Sequence, residues 1–160
     1  MGVITLTTTI ISSPEVCFGL ATSIELHKIS TRHTQEEAVA GVTSGLIKLN
    51  EQVTWRAKHF GWWFRLTSII TEYHPPHYFV DEMISGPFKH MRHEHTFAEE
   101  ENKTILTDKF EFSSPLGPLG KLVDALVLDR YMENFLILRN NTIKEYAETG
   151  KWKELLTLHP

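Results

Sequence analysis

Two consecutive segments of alternating polar and apolar residues decide the fold of this chain: residues 88–97, FKHMRHEHTF, and residues 104–112, TILTDKFEF. A β-strand sends every second side chain to the same face, so each segment predicts a strand with one apolar face. The polar run at residues 99–103 predicts a hairpin loop between them. Closing this hairpin so that Phe97 faces Leu106 places the apolar side chains of both strands on one surface.

The same register carries polar side chains onto the apolar surface. It places His95 opposite Asp108 and His93 opposite Phe110. A surface that is apolar apart from a few convergent polar groups is typical of a small-molecule pocket. A slip of one residue would expose the apolar side chains at a cost of about 1.5–3 kcal/mol for each large one, so we expect this register to be strongly specified.

The rest of the chain predicts an α+β architecture. Residues 3–11 are rich in β-branched side chains and indicate a strand, and short helices are expected at about 14–21 and 23–28. An antiparallel meander follows from residue 52. From about 118 to 147 the apolar period changes from 2 to 3.6 residues, which predicts one uninterrupted helix. We therefore expect a helix-grip fold, in which a curved antiparallel sheet of six to seven strands wraps around one long C-terminal helix.

The apolar stripe of that helix is predicted from its sequence spacing. The residues expected on or near the stripe are Leu119, Leu122, Val123, Leu126, Tyr131, Phe135, Leu138, Thr142, Ile143 and Tyr146. A helix of nearly thirty residues would be longer than a small domain is wide, because each residue adds about 1.5 Å. It must therefore lie across a broad apolar surface, and the sheet is the surface that the sequence provides.

The positions of turns predict further strand registers. A tight turn at Gly61-Trp62 would place Trp55 opposite Ser68. The adjacent tryptophans at this turn direct at least one aromatic ring outward, where it could gate a cavity or form the contact of a homodimer. A weak strand is expected near residues 37–42, in the region where the sequence pattern is least informative about secondary structure.

A second turn, at residues 85–87, brings another strand beside the histidines. Pairing about this turn could place Asp81 beside Met91 and Phe79 beside His93. Asp81 would then join the polar groups on the apolar face of the sheet.

Composition limits the classes of function. The chain has 160 residues, of which 41% are hydrophobic and 22% charged, and this predicts a single domain over residues 1–160 with an ordered core at about 3–148. The net charge of −4 argues against a nucleic-acid partner. No apolar run approaches the ~20 residues of a membrane helix, so membrane insertion is not expected. The single Cys17 and the lack of a recognisable signal peptide favour a cytoplasmic location.

The order of elements and several short motifs resemble the SRPBCC superfamily, also called the START or Bet v 1-like helix-grip fold, and most of all its bacterial ligand-binding, cyclase/dehydrase-like members. The resemblance covers nearly the whole chain. The residues that carry it are Val53-Thr54-Trp55, Phe79-Val80-Asp81-Glu82-Met83, Gly86-Pro87-Phe88, His93-Glu94-His95-Thr96-Phe97, Thr104 with Asp108, Pro115-Leu116-Gly117, and Asn134-Phe135 through Arg139. The superfamily includes lipid carriers, hormone receptors, polyketide cyclases and ring-hydroxylase subunits. The resemblance implies a hydrophobic cavity between sheet and helix, and it does not specify a substrate.

We expect one cavity whose wall combines aromatic and polar side chains. The predicted ligand-binding residues are Trp55, His59, Phe79, Asp81, His93, His95, Phe110 and Arg139. Asp108 is expected to line the same space in direct or water-mediated contact with His95. Arg139 could anchor an acidic ligand head, or it could form an ordinary surface salt bridge.

Three functions are compatible with such a cavity. The first is binding of a hydrophobic small molecule such as a lipid, an aromatic compound or a polyketide. The second is a cyclase or dehydratase activity in which His95 and Asp108 act as acid and base. The third is an interaction module whose cavity is filled by its own side chains. Whether the protein is an enzyme therefore stays open at this point.

The histidine pair also raises the question of a metal. Two imidazoles with one or two carboxylates could ligate zinc or non-haem iron. However, an aspartate that fixes the tautomer of a pocket histidine explains the same pattern, and no outer hydrogen-bonding groups for a metal site can be identified in the sequence. We therefore expect no metal at His93, His95 or Asp108, and no other cofactor.

Overall fold

The computed structural model of the protein describes residues 1–115, 117–123 and 127–156. Its strands are β1 (Gly2–Ile10), β2 (Glu37–Gly41), β3 (Gln52–His59), β4 (Trp62–His74), β5 (Tyr78–Ser85), β6 (His90–Glu100) and β7 (Lys103–Ser113). Its helices are α1 (Pro14–Thr22), α2 (Ile24–Ser30), α3 (Gly117–Val123), α4 (Asp129–Glu148) and α5 (Trp152–Leu156), with a 3-10 turn at Arg32–Thr34.

The predicted α+β architecture is confirmed. The seven strands form one curved antiparallel sheet in the order β1-β7-β6-β5-β4-β3-β2, with two short helices after β1 and a long helix, α4, near the C-terminus. Helix α4 packs against β1, α1 and α2. No helix within the described ranges is both long and apolar enough to cross a membrane.

The hairpin of β6 and β7 has the predicted register. Phe97 pairs with Leu106, His95 with Asp108 and His93 with Phe110. None of these six residues is more than 6% exposed, so the whole face is buried. The burial of apolar neighbours therefore carries the polar groups inward, as the sequence predicts.

The register of β3 and β4 differs from the predicted one. The turn is formed by Phe60 and Gly61, which have φ values of 52° and 81°. Two consecutive residues with positive φ form the type of tight turn that matches the twist of a hairpin, and glycine adopts this conformation without strain. Trp55 consequently faces Leu66, and the prediction that it faces Ser68 is wrong. The shift is an even number of residues, so the inward and outward faces are unchanged.

The register of β5 and β6 is also displaced by two positions from the prediction. Phe79 pairs with His95, and Asp81 pairs with His93. The connection is longer than the predicted turn, since β5 ends at Ser85 and β6 begins at His90. The result is that Asp81 lies directly across the sheet from a histidine.

The predicted helix from about 118 to 147 corresponds to the helical segments α3 and α4. Residues 124–126, with the predicted stripe residue Leu126, lie outside the described residues, and so does the predicted continuity between the two segments. Leu119 and Leu122 were expected on the buried stripe but are exposed.

The buried stripe of α4 is rotated relative to the prediction. Its buried residues are Leu136, Arg139, Asn140, Ile143 and Ala147. Leu138, expected on the stripe, is 43% exposed. The spacing of Leu136, Asn140 and Ile143 follows the helical period, but an asparagine occupies a position where an apolar residue would be expected.

The buried apolar side chains form two clusters. The Phe97 cluster includes Ile10, Phe18, Ile70, Phe79, Phe97, Leu106 and Ile143. The Phe110 cluster consists of Ile4, Met91, Phe110, Phe112 and Leu136. Both clusters draw residues from the sheet and from α4, so together they hold the long helix against the strands.

A polar layer separates the two clusters. It consists of Thr8, Asp81, His93, His95, Asp108, Arg139 and Asn140. On β7, Asp108 stands between Leu106 of the Phe97 cluster and Phe110 of the Phe110 cluster. On α4, Arg139 and Asn140 likewise stand between residues of the two clusters. Burying a polar group is costly unless it has a partner. The residues of this layer must therefore form hydrogen bonds or ion pairs with one another or with a bound group.

Candidate functional site

A cavity of about 460 Å³ lies between the sheet and the helices. Its wall comes mainly from β3, β4, β5, β6, α2 and α4, and it is largely apolar. Every residue predicted to bind ligand lies around this space: Trp55, His59, Phe79, Asp81, His93, His95, Phe110 and Arg139. The fold thus brings the predicted residues together, while their contact with a ligand remains a prediction.

Asp108 does not line the cavity, and this part of the prediction is wrong. The residue is 0% exposed and lies behind the two histidines. Its Oδ1 accepts a hydrogen bond from His93 Nε2 at 2.9 Å and lies 2.8 Å from His95 Nδ1. The second contact is close but is not aligned as a hydrogen bond. Asp108 therefore acts on the cavity through neighbouring side chains that do line it, first of all the two histidines in front of it.

The other side of Asp108 is held by helix α4. Asn140 Nδ2 donates to Asp108 Oδ2 at 2.5 Å, and Arg139 Nη1 lies 3.7 Å from Asp108 Oδ1. The amide of Asn140 is positioned in turn by Arg139 Nη1, which donates to its Oδ1 at 3.3 Å. Burial disfavours the charged carboxylate, but the contacts with His93 and His95 outweigh it and hold the pKa of Asp108 well below its usual range.

Asp81 lies on the cavity side of the same histidines. Its Oδ2 is 3.1 Å from His95 Nε2 and 4.0 Å from His93 Nδ1. Burial raises the pKa of Asp81, but the hydrogen bond with His95 and the interactions with neighbouring groups such as Arg139 lower it by more, so the pKa lies below its usual value and the carboxyl group is ionised at neutral pH. With 22% of its side chain exposed, Asp81 is the more accessible of the two carboxylates.

His93 is neutral at physiological pH. Burial, followed by repulsion from His95, lowers its pKa to about 4, although Asp108 acts in the opposite direction. A neutral imidazole has one N–H, and the hydrogen bond to Asp108 places it on Nε2. The lone pair of His93 Nδ1 is consequently directed to the side of Asp81 and the cavity.

A second polar pair joins the β3–β4 hairpin to α4. His59 Nδ1 lies 2.6 Å from the hydroxyl of Tyr131, and burial lowers the pKa of His59. The ring of Phe60 lies 4.6 Å from that of Tyr131. Beyond this pair, Trp62 and Trp63 at the hairpin tip are both exposed, which confirms that at least one of them faces outward.

Comparison with known proteins identifies the fold. No protein-family model matches the chain, and no curated protein matches it. Among solved structures, TTHA0849 from Thermus thermophilus is similar with a TM-score of 0.70 and 18% identity, over 89% of this chain and 97% of that one. The Zhui aromatase/cyclase from Streptomyces sp. R1128 has a TM-score of 0.69 and 13% identity, over 91% of this chain and 93% of its own. A START superfamily protein from Mycobacterium smegmatis has a TM-score of 0.68 and 9% identity, over 91% of this chain and 96% of its own.

This chain has the SRPBCC-type fold. The similarity extends over nearly the full length of each of these structures, as the motif resemblance implies. At identities below 20% it establishes the architecture alone. What the SRPBCC-type fold does in this chain must therefore be argued from its own side chains.

Sequence reasoning missed two polar residues of this site. Asn140 holds the buried carboxylate of Asp108, and Tyr131 holds His59. A signal for Asn140 was present, because an amide that occurs on the apolar stripe of a helix needs a buried partner. No comparable signal exists for Tyr131, since a tyrosine on an apolar stripe is ordinary.

Proposed function

We propose that the protein binds a hydrophobic small molecule, such as a lipid, an aromatic compound or a polyketide-like compound, between its sheet and its helices. The observation that carries this proposal is the cavity of about 460 Å³ with an apolar wall and a group of polar side chains on one part of it. Volumes of roughly 300–1,000 Å³ with this combination are typical of small-molecule sites. The polar layer would orient one end of the ligand.

Apolar burial supplies enough free energy for such binding. Removing roughly 300 Å² of ligand surface from water contributes about 7.5 kcal/mol at 25 cal/mol per Å², before the costs of ordering the ligand. Polar contacts would add specificity more than affinity. Asp81, His93, His95 and Arg139 offer both charged and neutral partners to a polar ligand end.

Filling the cavity tests this function. Ala57 lines the cavity and is 4% exposed, so Ala57→Trp is expected to occupy part of the space and weaken binding of the fluorescent apolar probe anilinonaphthalene sulfonate at least tenfold. The matched control is Lys58→Trp, which changes the exposed neighbour on the opposite face of β3.

Probe fluorescence is measured together with near-UV circular dichroism, since loosely packed proteins also bind this probe. Equal affinity in the parent and in a well-folded Ala57→Trp variant would contradict ligand binding in this cavity. Native mass spectrometry of the protein as purified would identify a ligand that it carries.

A cyclase or dehydratase activity is the second candidate, and the arrangement around His95 favours it over other enzymes. Asp108 and Asp81 flank the imidazole, and His95 itself lines the cavity, so it could transfer a proton to a bound substrate. His95→Gln separates the two functions. Binding would lose only part of its affinity, whereas turnover would fall by about 10²–10⁴-fold.

We infer a cytoplasmic protein with a single domain over residues 1–160 whose partner is the small molecule, with no role for nucleic acid or membrane insertion. A homodimer formed through Trp62 and Trp63 stays an alternative to a gating role for these side chains. An interaction module with a filled interior is disfavoured by the cavity volume.

A further inference from the structure

We propose that Asp81, His93 and His95 bind one divalent transition-metal ion in the wall of the cavity, and that Asp108 orients both imidazoles from behind. This proposal goes beyond hydrophobic ligand binding and does not depend on it. It is carried by the relative positions of the ligand atoms, by the hydrogen bonding on the far side of the histidines, and by the balance of charge in the polar layer.

The ligand atoms of the three residues converge. One nitrogen of each histidine and one carboxylate oxygen of Asp81 lie within 4.8 Å of one another. The Asp81 oxygen is 3.1 Å from His95 Nε2 and 4.0 Å from His93 Nδ1. A tetrahedral ion with bonds of about 2.0–2.1 Å separates its ligand atoms by about 3.4 Å. Small side-chain movements would therefore let all three atoms reach one ion.

The strands position these three residues. His93 and His95 alternate on one face of β6, and Asp81 is the direct neighbour of His93 on β5. Both strands are internal to the sheet, so their backbones are fixed by hydrogen bonds on two sides. Ligands on rigid neighbouring strands hold a metal geometry better than ligands on loops.

Asp108 provides an outer shell that the sequence did not reveal, through a hydrogen bond with His93 and a close contact with His95. Histidines that bind metals usually have their second nitrogen held by a carboxylate, which fixes the ring and its tautomer. Here one carboxylate oxygen contacts the far nitrogen of both rings, His93 Nε2 at 2.9 Å and His95 Nδ1 at 2.8 Å. The near nitrogens of both rings are thereby left for an ion.

The balance of charge in the polar layer also favours a cation. Asp81 and Asp108 are two carboxylates, and Arg139, 3.7 Å from Asp108, supplies one permanent positive charge. His95 has a carboxylate oxygen beside each of its nitrogens, but a neutral imidazole has only one N–H to donate. A cation bound between His95 Nε2 and Asp81 Oδ2 would also be within reach of His93 Nδ1, which lies 4.0 Å from the same oxygen.

The chemistry of the ligands identifies the class of ion. Two imidazoles and one carboxylate suit Zn²⁺, Fe²⁺ or Co²⁺, whereas Mg²⁺ and Ca²⁺ prefer oxygen ligands. Three protein ligands leave at least one coordination position open. All three residues line the cavity, so water or the polar end of a bound molecule could take that position. The expectation of no metal rested on tautomer fixing as an equal explanation of the pattern and on the lack of a recognisable outer shell; the fold places Asp108 where an outer shell would be.

Titration of the chelator-stripped protein with Co²⁺ tests the proposal, using the visible absorption of the bound ion and calorimetry. We expect one ion per chain, with Zn²⁺ competing for the same site. Asp81→Asn and His95→Gln are each expected to weaken Co²⁺ binding at least tenfold. Asp108→Asn is expected to weaken it about 10–100-fold without removing a ligand, as a positioning residue would.

The matched controls are Glu82→Gln and His90→Gln, which change a carboxylate and an imidazole on the same two strands but on the opposite face. They should leave Co²⁺ affinity unchanged. Asp81→Asn is the decisive variant because its partly exposed side chain can change without loss of the fold, which circular dichroism verifies. Absence of stoichiometric Co²⁺ or Zn²⁺ binding, or binding that a folded Asp81→Asn variant retains in full, would overturn the proposal.

Discussion

Replacement of Asp108 by asparagine is expected to lower the free energy of unfolding by about 3–5 kcal/mol. Asp108 is 0% exposed, and its carboxylate lies close to Arg139, His93 and the amide of Asn140. Asparagine has nearly the same shape but no charge, so the buried guanidinium of Arg139 would lose the carboxylate that lies 3.7 Å from it. Removal of one member of a buried ion pair is costly because the other charge is left in an environment that solvates it poorly.

Urea denaturation at pH 7 in the presence of a chelator measures this loss. Glu111→Gln is the matched control, since it neutralises a carboxylate on the same strand whose partner is the surface residue Lys109. The control should change stability by no more than about 1 kcal/mol. The double variant Asp108→Asn/Arg139→Met should lose less than the sum of the two single changes, because it removes both charges together. A loss below about 1 kcal/mol in Asp108→Asn would show that the polar layer is not a coupled charge network.

Acidification from pH 8 to pH 5 is expected to remove about 2 kcal/mol of stability through His93 alone. Burial lowers the pKa of His93 from 6.5 to about 4, so the unfolded chain takes up a proton in this range and the folded protein does not. Stability contributed by a lowered histidine pKa is complete above 6.5 and is lost as the pH falls toward 4. The lowered pKa values of Asp81 and Asp108 act in the same direction, but only at more acidic pH.

Unfolding free energies at several pH values, with chelator present so that only protons compete for the site, test this expectation. His93→Gln should flatten the decline between pH 8 and pH 5 by about 2 kcal/mol. His90→Gln, which removes an exposed histidine from the opposite face of the same strand, should leave the decline unchanged. An identical decline in the parent and in His93→Gln would mean that the pKa of His93 is the same in the folded and unfolded states, which would contradict the expectation.

The sequence predicted which side chains face inward better than it predicted which of those side chains contact one another. The alternation of β6 and β7 placed His93 and His95 inward correctly, because an odd slip would have exposed Phe97 and its apolar neighbours. The registers across the turns before β4 and β6 were each displaced by two residues. An even displacement keeps every side chain on its face, so the hydrophobic pattern cannot distinguish such registers.

Contacts between elements far apart in sequence could not be predicted in this way. Asn140 and Arg139 reach Asp108 because α4 has one rotational setting on the sheet. The apolar pattern left the rotation of α4 about its axis uncertain by about one residue position. Phe135, Leu136 and Leu138 are all apolar, so more than one of them could face the sheet. Packing against two separate clusters selected the setting in which the polar pair, and not Leu138, faces inward.

By itself, the sequence determined the α+β class, the faces of the strands and, with the exception of Asp108, the strand residues predicted around the cavity, because side-chain alternation and the cost of exposing apolar surface act locally along each strand. Only the tertiary structure decided that Asp108 lies behind the histidines and Asp81 in front of them. The positions of the two aspartates relative to the histidines depend on turn geometry and on how α4 packs against the sheet. Both are determined only when segments distant in sequence pack together. Those relations convert a pair of inward histidines into a candidate site for an ion and a ligand.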